Sequence, residues 1–138
     1  MGISTKSENE PHVGEHFSIL IADDDPSVRE LLMVIVSSLG VSAVDYASNG
    51  DEAWQMAAER DYSVVFMDVS MPVLSGIEAH KKIKESKPSL PVVFITGTFD
   101  EESIIGIIEK ENAFGYIKKP FNIAEIESLL ARLRSGAR

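Results

Sequence analysis

The chain has no cysteine among its 138 residues, which excludes disulfide scaffolds, thiolate zinc sites, thiol nucleophiles and thiol redox switches. Basic residues are also scarce, with 13 Lys and Arg against 22 Asp and Glu and a formal net charge of -9. Phosphate-backbone affinity depends on clustered Lys and Arg, so direct nucleic-acid binding is not expected. No apolar run comes near the roughly 18 residues of a membrane span. The opening MGISTKSENEPHVGEH lacks the apolar stretch of a signal peptide, and Lys6 stands where a myristoylation signal wants Ser or Thr. The expectation is a cytoplasmic protein without membrane attachment. What the chain does have is 44% hydrophobic residues, enough at this length to bury one sizeable core without a disulfide or a structural metal.

The apolar residues are not spread evenly. Positions 1–16 carry only Ile3 and Val13 as aliphatics, too few to anchor an element, and read as a flexible N-terminal arm in which His12 and His16 are solvated. One domain follows over 17–134, with 135–138 as a C-terminal tail. Within it, short apolar runs at 18–22, 43–46, 63–67, 91–96 and 114–117 have the length of strands and are apolar enough to be buried on both faces. Between them lie amphipathic helical patterns. The first starts with Asp25 as cap and Pro26 in the first helical position, carries Val28, Leu31, Leu32, Ile35, Val36 and Leu39 on one stripe, and stops at Gly40. The others span about 50–60, 75–86, 100–111 and 122–134, the last with Asn122 and Glu125 in a capping-box spacing. Five strands alternating with five helices imply parallel pairing through right-handed crossovers, hence a doubly wound α/β sandwich.

Open parallel sheets bind ligands at the carboxyl ends of their strands, near the point where strand order reverses. Those ends carry Asp23, Asp24 and Asp25 after the first strand, Asp68 after the third, Thr96 after the fourth, and Lys118 with Lys119 after the fifth. Core packing has no use for carboxylates from two strands, a hydroxyl and an ammonium on one edge. Converging carboxylates repel and need a cationic offset. An oxygen-only ligand set without Cys or nearby His favours a hard cation such as Mg²⁺, which takes one or two carboxylates, waters and a phosphate oxygen. In such a phosphoryl site an Asp can accept the group as an acyl phosphate while metal and Lys neutralise charge. Asp68, alone on its strand end opposite the Asp23–Asp24 pair, is the candidate.

The segments ILIADDDPSVRE, VVFMDVSMPVLSG, VVFITG and GYIKKPF, in that order and spacing, resemble receiver domains of bacterial two-component response regulators, of the stand-alone chemotaxis-regulator type. The resemblance covers about residues 17–134. It implies a flavodoxin-like fold with strand order 2-1-3-4-5. It also implies Asp68 as phosphoacceptor, Asp23 and Asp24 as metal-side carboxylates, and the backbone carbonyl of Ser70 as a further ligand to Mg²⁺ or Mn²⁺. Lys119 would contact the phosphoryl group and Thr96 would swing its hydroxyl toward it. Tyr116 matches the aromatic switch position, with a half-buried strand aromatic as the alternative, and Lys119–Pro120 is a candidate cis bond. Ser70 and Thr98 occupy the positions that tune water access to the acyl phosphate. Asp25 is read as a helix cap, with a third metal-side carboxylate as the alternative.

The implied function is not enzymatic. A histidine kinase or phosphotransfer protein would donate the phosphoryl group, and the output would be a protein surface on the fourth helix, fifth strand and fifth helix, in a monomer or a phosphorylation-dependent dimer. A receiver excised from a larger regulator or hybrid kinase fits equally. The rivals fare worse. A flavin carrier would not place three aspartates where the flavin phosphate binds, and a haloacid-dehalogenase-type phosphatase, which has a DxD motif after its first strand, would usually carry a cap domain as well. A binding-only pseudo-receiver would be expected to have lost Asp68, Lys119 or a member of the acidic pair. Several other residues have plain readings: His80 as a packed histidine on the third helix, Trp54 as a core-edge aromatic, Met67 and Met71 as gap fillers and Lys118 as solvated. The fourth helix, with Ile104, Ile105, Ile107 and Ile108, is either buried more deeply than usual or exposes an interaction surface.

Overall fold

The structure, a computed structural model, describes residues 17–97 and 101–136. The arm expected over 1–16 with His12 and His16, the position Thr98 and the last two residues lie outside the described residues. Strands and helices alternate as β1 (Ser18–Ala22), α1 (Pro26–Ser38), β2 (Ala43–Ala47), α2 (Gly50–Glu59), β3 (Val64–Asp68), α3 (Gly76–Ser86), β4 (Val92–Thr96), α4 (Glu101–Glu111), β5 (Gly115–Lys118) and α5 (Ile123–Ser135). Every pairing is parallel and the order is β2-β1-β3-β4-β5. This is the expected doubly wound sheet, with its reversal of direction between β1 and β3.

Successive residues of a strand face opposite sides of the sheet, so each central strand feeds two cores. Ile19, Ile21, Val64, Phe66, Val93 and Ile95 pack on the side of α1 and α5. Leu20, Ala22, Val65, Met67, Val92 and Phe94 pack with Ala53, Ala57, Ala79 and Ile83 of α2 and α3 on the other. The small alanines let α2 and α3 lie close to the sheet. Burial on both faces holds for β3 and β4 throughout, but not for the edges. In β2, Ala43 and Tyr46 are exposed, and β5 buries only Ile117 fully. An edge strand has one neighbour and incomplete helix cover, and β2 uses Asp45 to accept hydrogen bonds from Arg60 and Tyr62, both at 2.6 Å. β4 begins one residue after Pro91, which has no N–H to give to the ladder and instead accepts from Val65 N–H at 3.0 Å.

Helix ends follow their capping residues. Asp25 accepts from Ser27 N–H, and complete capping boxes join Ser75 to Glu78 and Asn122 to Glu125. α5 runs through Ser135, one residue further than expected, and Gly136 closes it in the left-handed conformation at φ 79°. On α1 the buried residues are Leu32, Ile35 and Val36. Leu31 departs from the expected stripe and is 47% exposed, because one helical step rotates it about 100° from Leu32, off the packed face. His80 is fully buried, its ring edge-on to Phe94 with centroids 5.3 Å apart. Trp54 and Met71 are half-buried against the second core and Met67 is buried within it. On α4, Ile104 is buried, Ile107 and Ile108 pack partly against the core and Ile105 stays 44% exposed.

Candidate functional site

The carboxyl ends of β1, β3, β4 and β5 meet above the reversal point. Pairing of β1 with β2 extends one residue beyond the strands, as Asp23 N–H donates to the Ala47 carbonyl at 3.1 Å, so Asp23 leaves the sheet in a fixed direction. Its side chain has no exposed surface. Oδ1 accepts from Asp25 N–H at 2.9 Å. Oδ2 is buried without a hydrogen bond, although Lys119 Nζ lies 3.2 Å away as an ion-pair partner outside hydrogen-bonding geometry. Burial pushes the Asp23 carboxyl up to about 6, and the neighbouring Asp68 carboxylate adds to the shift.

Asp68 ends β3 and is also buried. Its Oδ1 accepts from Ser70 N–H at 2.9 Å and its Oδ2 from Lys119 Nζ at 3.0 Å. Lys119 follows β5, and its N–H donates to the Thr96 carbonyl at 2.8 Å, which ties the β4 and β5 ends together. The Lys119–Pro120 peptide is cis, as the sequence proposed. Burial works against the Lys119 ammonium, but Asp68 and Asp23 outweigh it and hold its pKa above the ordinary lysine value. Asp24 is exposed, and one carboxylate oxygen from each of Asp23, Asp24 and Asp68 lies within 4.8 Å of the other two.

The other sequence-picked residues fall around this cluster. Thr96 is buried at the end of β4. Tyr116 pairs with Phe94, two residues before Thr96, and so shares its face of the sheet. It is half-buried and lines an open groove of about 430 Å³ with Asn122, Glu125 and Arg132. Ser70 is exposed. Asp25 is a cap, its Oδ1 accepting from Ser27 N–H at 2.9 Å and from the Ser27 hydroxyl at 2.8 Å, and it stands outside the three-carboxylate cluster.

Sequence reasoning missed two structural supports. Arg29 reaches back from α1, its guanidinium Nη1 donating to the Asp23 carbonyl at 2.8 Å. Gly76, at the start of α3, passes so close to the end of β3 that a Cβ there would stand 2.0 Å from the Asp68 carbonyl oxygen. Neither has a spacing that marks it: the first depends on how α1 leaves the acidic turn, the second on how the β3–α3 loop folds back.

Three carboxylates facing one ammonium leave the cluster with excess negative charge. The buried Asp23 Oδ2, which accepts no hydrogen bond, and the oxygen-only donor set fit a hard divalent cation of the Mg²⁺ kind.

Known proteins share the fold and part of the sequence. Residues 19–131 match the response regulator receiver domain. The transcriptional regulatory protein LnrK of Bacillus subtilis is 36% identical over 121 residues, covering 86% of this chain and 54% of that protein. Across the curated relatives it matches, the chain spans between about a quarter and a half of their length. Among solved structures, the Vibrio cholerae chemotaxis protein CheY4 superposes with a TM-score of 0.76 at 27% identity, covering 85% of this chain and 98% of that one. The receiver domain of the Pseudomonas aeruginosa sensor histidine kinase PA1611, with a magnesium ion coordinated in its active-site cleft, gives a TM-score of 0.78 at 25% identity and covers 86% and 98%. Fold, strand-end residues and family match agree: the chain belongs to the family of response regulator receiver domains, which are signalling domains.

Proposed function

We propose that the chain accepts a phosphoryl group on Asp68 from a histidine kinase or phosphotransfer protein, and that the resulting change of charge switches a protein-interaction surface. The observation that carries this reading is the Asp68 carboxylate itself, held between Ser70 N–H at 2.9 Å and Lys119 Nζ at 3.0 Å. A carboxylate oxygen of Asp68 attacks the phosphorus of the donor's phosphoimidazole; the P–N bond breaks, a P–O bond forms, and the imidazole leaves with a proton from solvent. Lys119 stays in place to neutralise charge on the transferred group. Asp23, Asp24, Asp68 and the Ser70 carbonyl would hold Mg²⁺ or Mn²⁺, which supplies charge neutralisation of the phosphoryl oxygens when bound.

The switch reading rests on Thr96 and Tyr116. Thr96 lies at the β4 end beside Lys119, and Tyr116 shares its sheet face next to the groove over α5. A hydroxyl drawn toward the phosphoryl group would alter the space available to the Tyr116 ring and so bias the face formed by α4, β5 and α5, where Ile105 is exposed. Intact-mass measurement after incubation with acetyl phosphate tests the proposal. A single Mg²⁺-dependent phosphoryl adduct, labile to base and absent from Asp68→Asn, is expected. An adduct retained in Asp68→Asn refutes Asp68 as the acceptor, and no adduct together with no response to beryllofluoride refutes the proposal in favour of a binding-only module.

A further inference from the structure

The acidic turn after β1 is held by a residue that the phosphoacceptor reading does not use. Three bonds fix Asp23: its N–H donates to the Ala47 carbonyl at 3.1 Å, its Oδ1 accepts from Asp25 N–H at 2.9 Å, and its carbonyl accepts from Arg29 Nη1 at 2.8 Å. The first is backbone to backbone, and the second lies within the turn, from Asp25 N–H to the side chain of Asp23 itself. The third is the only one that a side chain outside the turn supplies. The carbonyl it grips belongs to the peptide that joins Asp23 to Asp24.

Asp24 is the weak point of the cluster. Its side chain is exposed and no hydrogen bond or ion pair among the described residues holds it, yet one of its oxygens lies within 4.8 Å of Asp23 and Asp68. Its place therefore depends on the orientation of the peptide behind it. Three consecutive aspartates repel one another and tend to open the turn. Arg29 counters this from a firm base, because Val28 N–H and Arg29 N–H donate to the Asp25 carbonyl at 3.1 and 3.2 Å and Asp25 caps the same helix. Its planar fork with several donors suits a fixed grip on one carbonyl. We infer that Arg29 is a positioning residue for the metal-side carboxylates: its guanidinium locks the Asp23–Asp24 peptide plane and so sets the carboxylate geometry that a divalent cation requires.

This inference rests on the proposed function, in which that cluster binds Mg²⁺. Charge and positioning make opposite predictions, which gives the test its sign. If Arg29 acted only as a nearby positive charge, removing it would draw Mg²⁺ more tightly. As a positioning residue its loss loosens Mg²⁺, by roughly tenfold or more, as is usual for a group that orients metal ligands.

The experiment is calorimetric titration of the full chain with Mg²⁺, comparing wild type, Arg29→Met and Arg29→Lys, with amide hydrogen exchange of the metal-free proteins followed by NMR. Met and Lys are both good helix formers, so α1 is kept. The expected order of affinity is wild type, then Arg29→Lys, which retains a donor, then Arg29→Met, with faster exchange at Asp24 and Asp25 in Arg29→Met. Equal or tighter Mg²⁺ binding by Arg29→Met, or unchanged exchange at both amides, overturns the positioning role while leaving the phosphoacceptor reading intact. No Mg²⁺ uptake by the wild type overturns both.

Discussion

The sharpest quantitative consequence of the site concerns Asp23, whose burial makes it a stability defect in the absence of a cation. Its side chain has no exposed surface and its carboxyl is pushed up to about 6 from an ordinary 3.8, chiefly by burial, with the Lys119 attraction already counted in that balance. A shift of about two units corresponds to about 3 kcal/mol against the ionised form. The native state holds its proton to higher pH than the unfolded chain, so stability falls as pH rises through the window from about 4 to 6, and the loss is complete above it. Asp23→Asn keeps an acceptor for Asp25 N–H and removes the charge. In metal-free buffer at pH 7.5 it is expected to be more stable than wild type by about 2–3 kcal/mol. At roughly 3–5 °C per kcal/mol for a domain of this size, that is a rise in Tm of about 6–15 °C. At pH 4.5 the difference shrinks to about 1 kcal/mol. Thermal unfolding followed by circular dichroism at several pH values, with EDTA and then with excess MgCl₂, reads both effects. Mg²⁺ should raise the wild-type Tm by mass action and leave the variant unmoved. An Asp23→Asn Tm at or below wild type in EDTA at pH 7.5, or a gap that is the same at pH 4.5 and 7.5, refutes the reasoning.

Other perturbations act on neighbouring parts of the fold. His80 is fully buried with neither ring nitrogen hydrogen-bonded, and burial, aided by Lys84, lowers its pKa to about 4; stability is therefore lost as pH falls from about 6.5 to 4. His80→Leu should flatten that acid limb and gain about 2 kcal/mol at pH 5 by urea unfolding; parallel pH dependences for the two proteins would contradict this. Gly76→Ala places a Cβ 2.0 Å from the Asp68 carbonyl oxygen, a backbone atom that cannot swing aside, and is expected to cost about 3 kcal/mol by urea unfolding, as a lowered midpoint at unchanged m-value. A cost below about 1 kcal/mol would show that the loop has room to yield.

How much of this could be read from the sequence depends on the range of the interaction. Elements set by local periodicity and caps, such as α1 from Asp25 and Pro26 or α5 from Asn122 and Glu125, are legible because their causes lie within four residues. The residues at strand ends, Asp23, Asp68, Thr96 and Lys119, are legible because a parallel sheet gathers those ends on one edge. The partial exposure of β2 and β5 is not, since a short, largely apolar run reads alike at the centre and the edge of a sheet. Nor is the 3.9 Å approach of the His80 ring to the Glu111 carboxylate, which joins α3 to α4 across 31 positions. Arg29 and Gly76 escape for the same reason: one depends on the direction in which a helix departs, the other on the path of a loop.

The charge arrangement explains why so much rigid support surrounds so few functional atoms. Lys119 Nζ is 3.0 Å from Asp68 and 3.2 Å from Asp23, one ammonium between two buried carboxylates. Left to itself the cluster would relax by swinging a carboxylate into water, where it would be well solvated and useless as a ligand. Neither buried side chain has that freedom. Asp23 is tied at its N–H, carbonyl and Oδ1, while Asp68 is tied at both oxygens and at the β3 backbone beneath Gly76. The hydrophobic residues of β1 and β3, all buried from Ile19 to Ala22 and from Val64 to Met67, hold the strands that hold these groups. The packing energy of the core is thereby set against electrostatic repulsion at its upper edge, and the repulsion that remains is what a divalent cation at that edge would relieve.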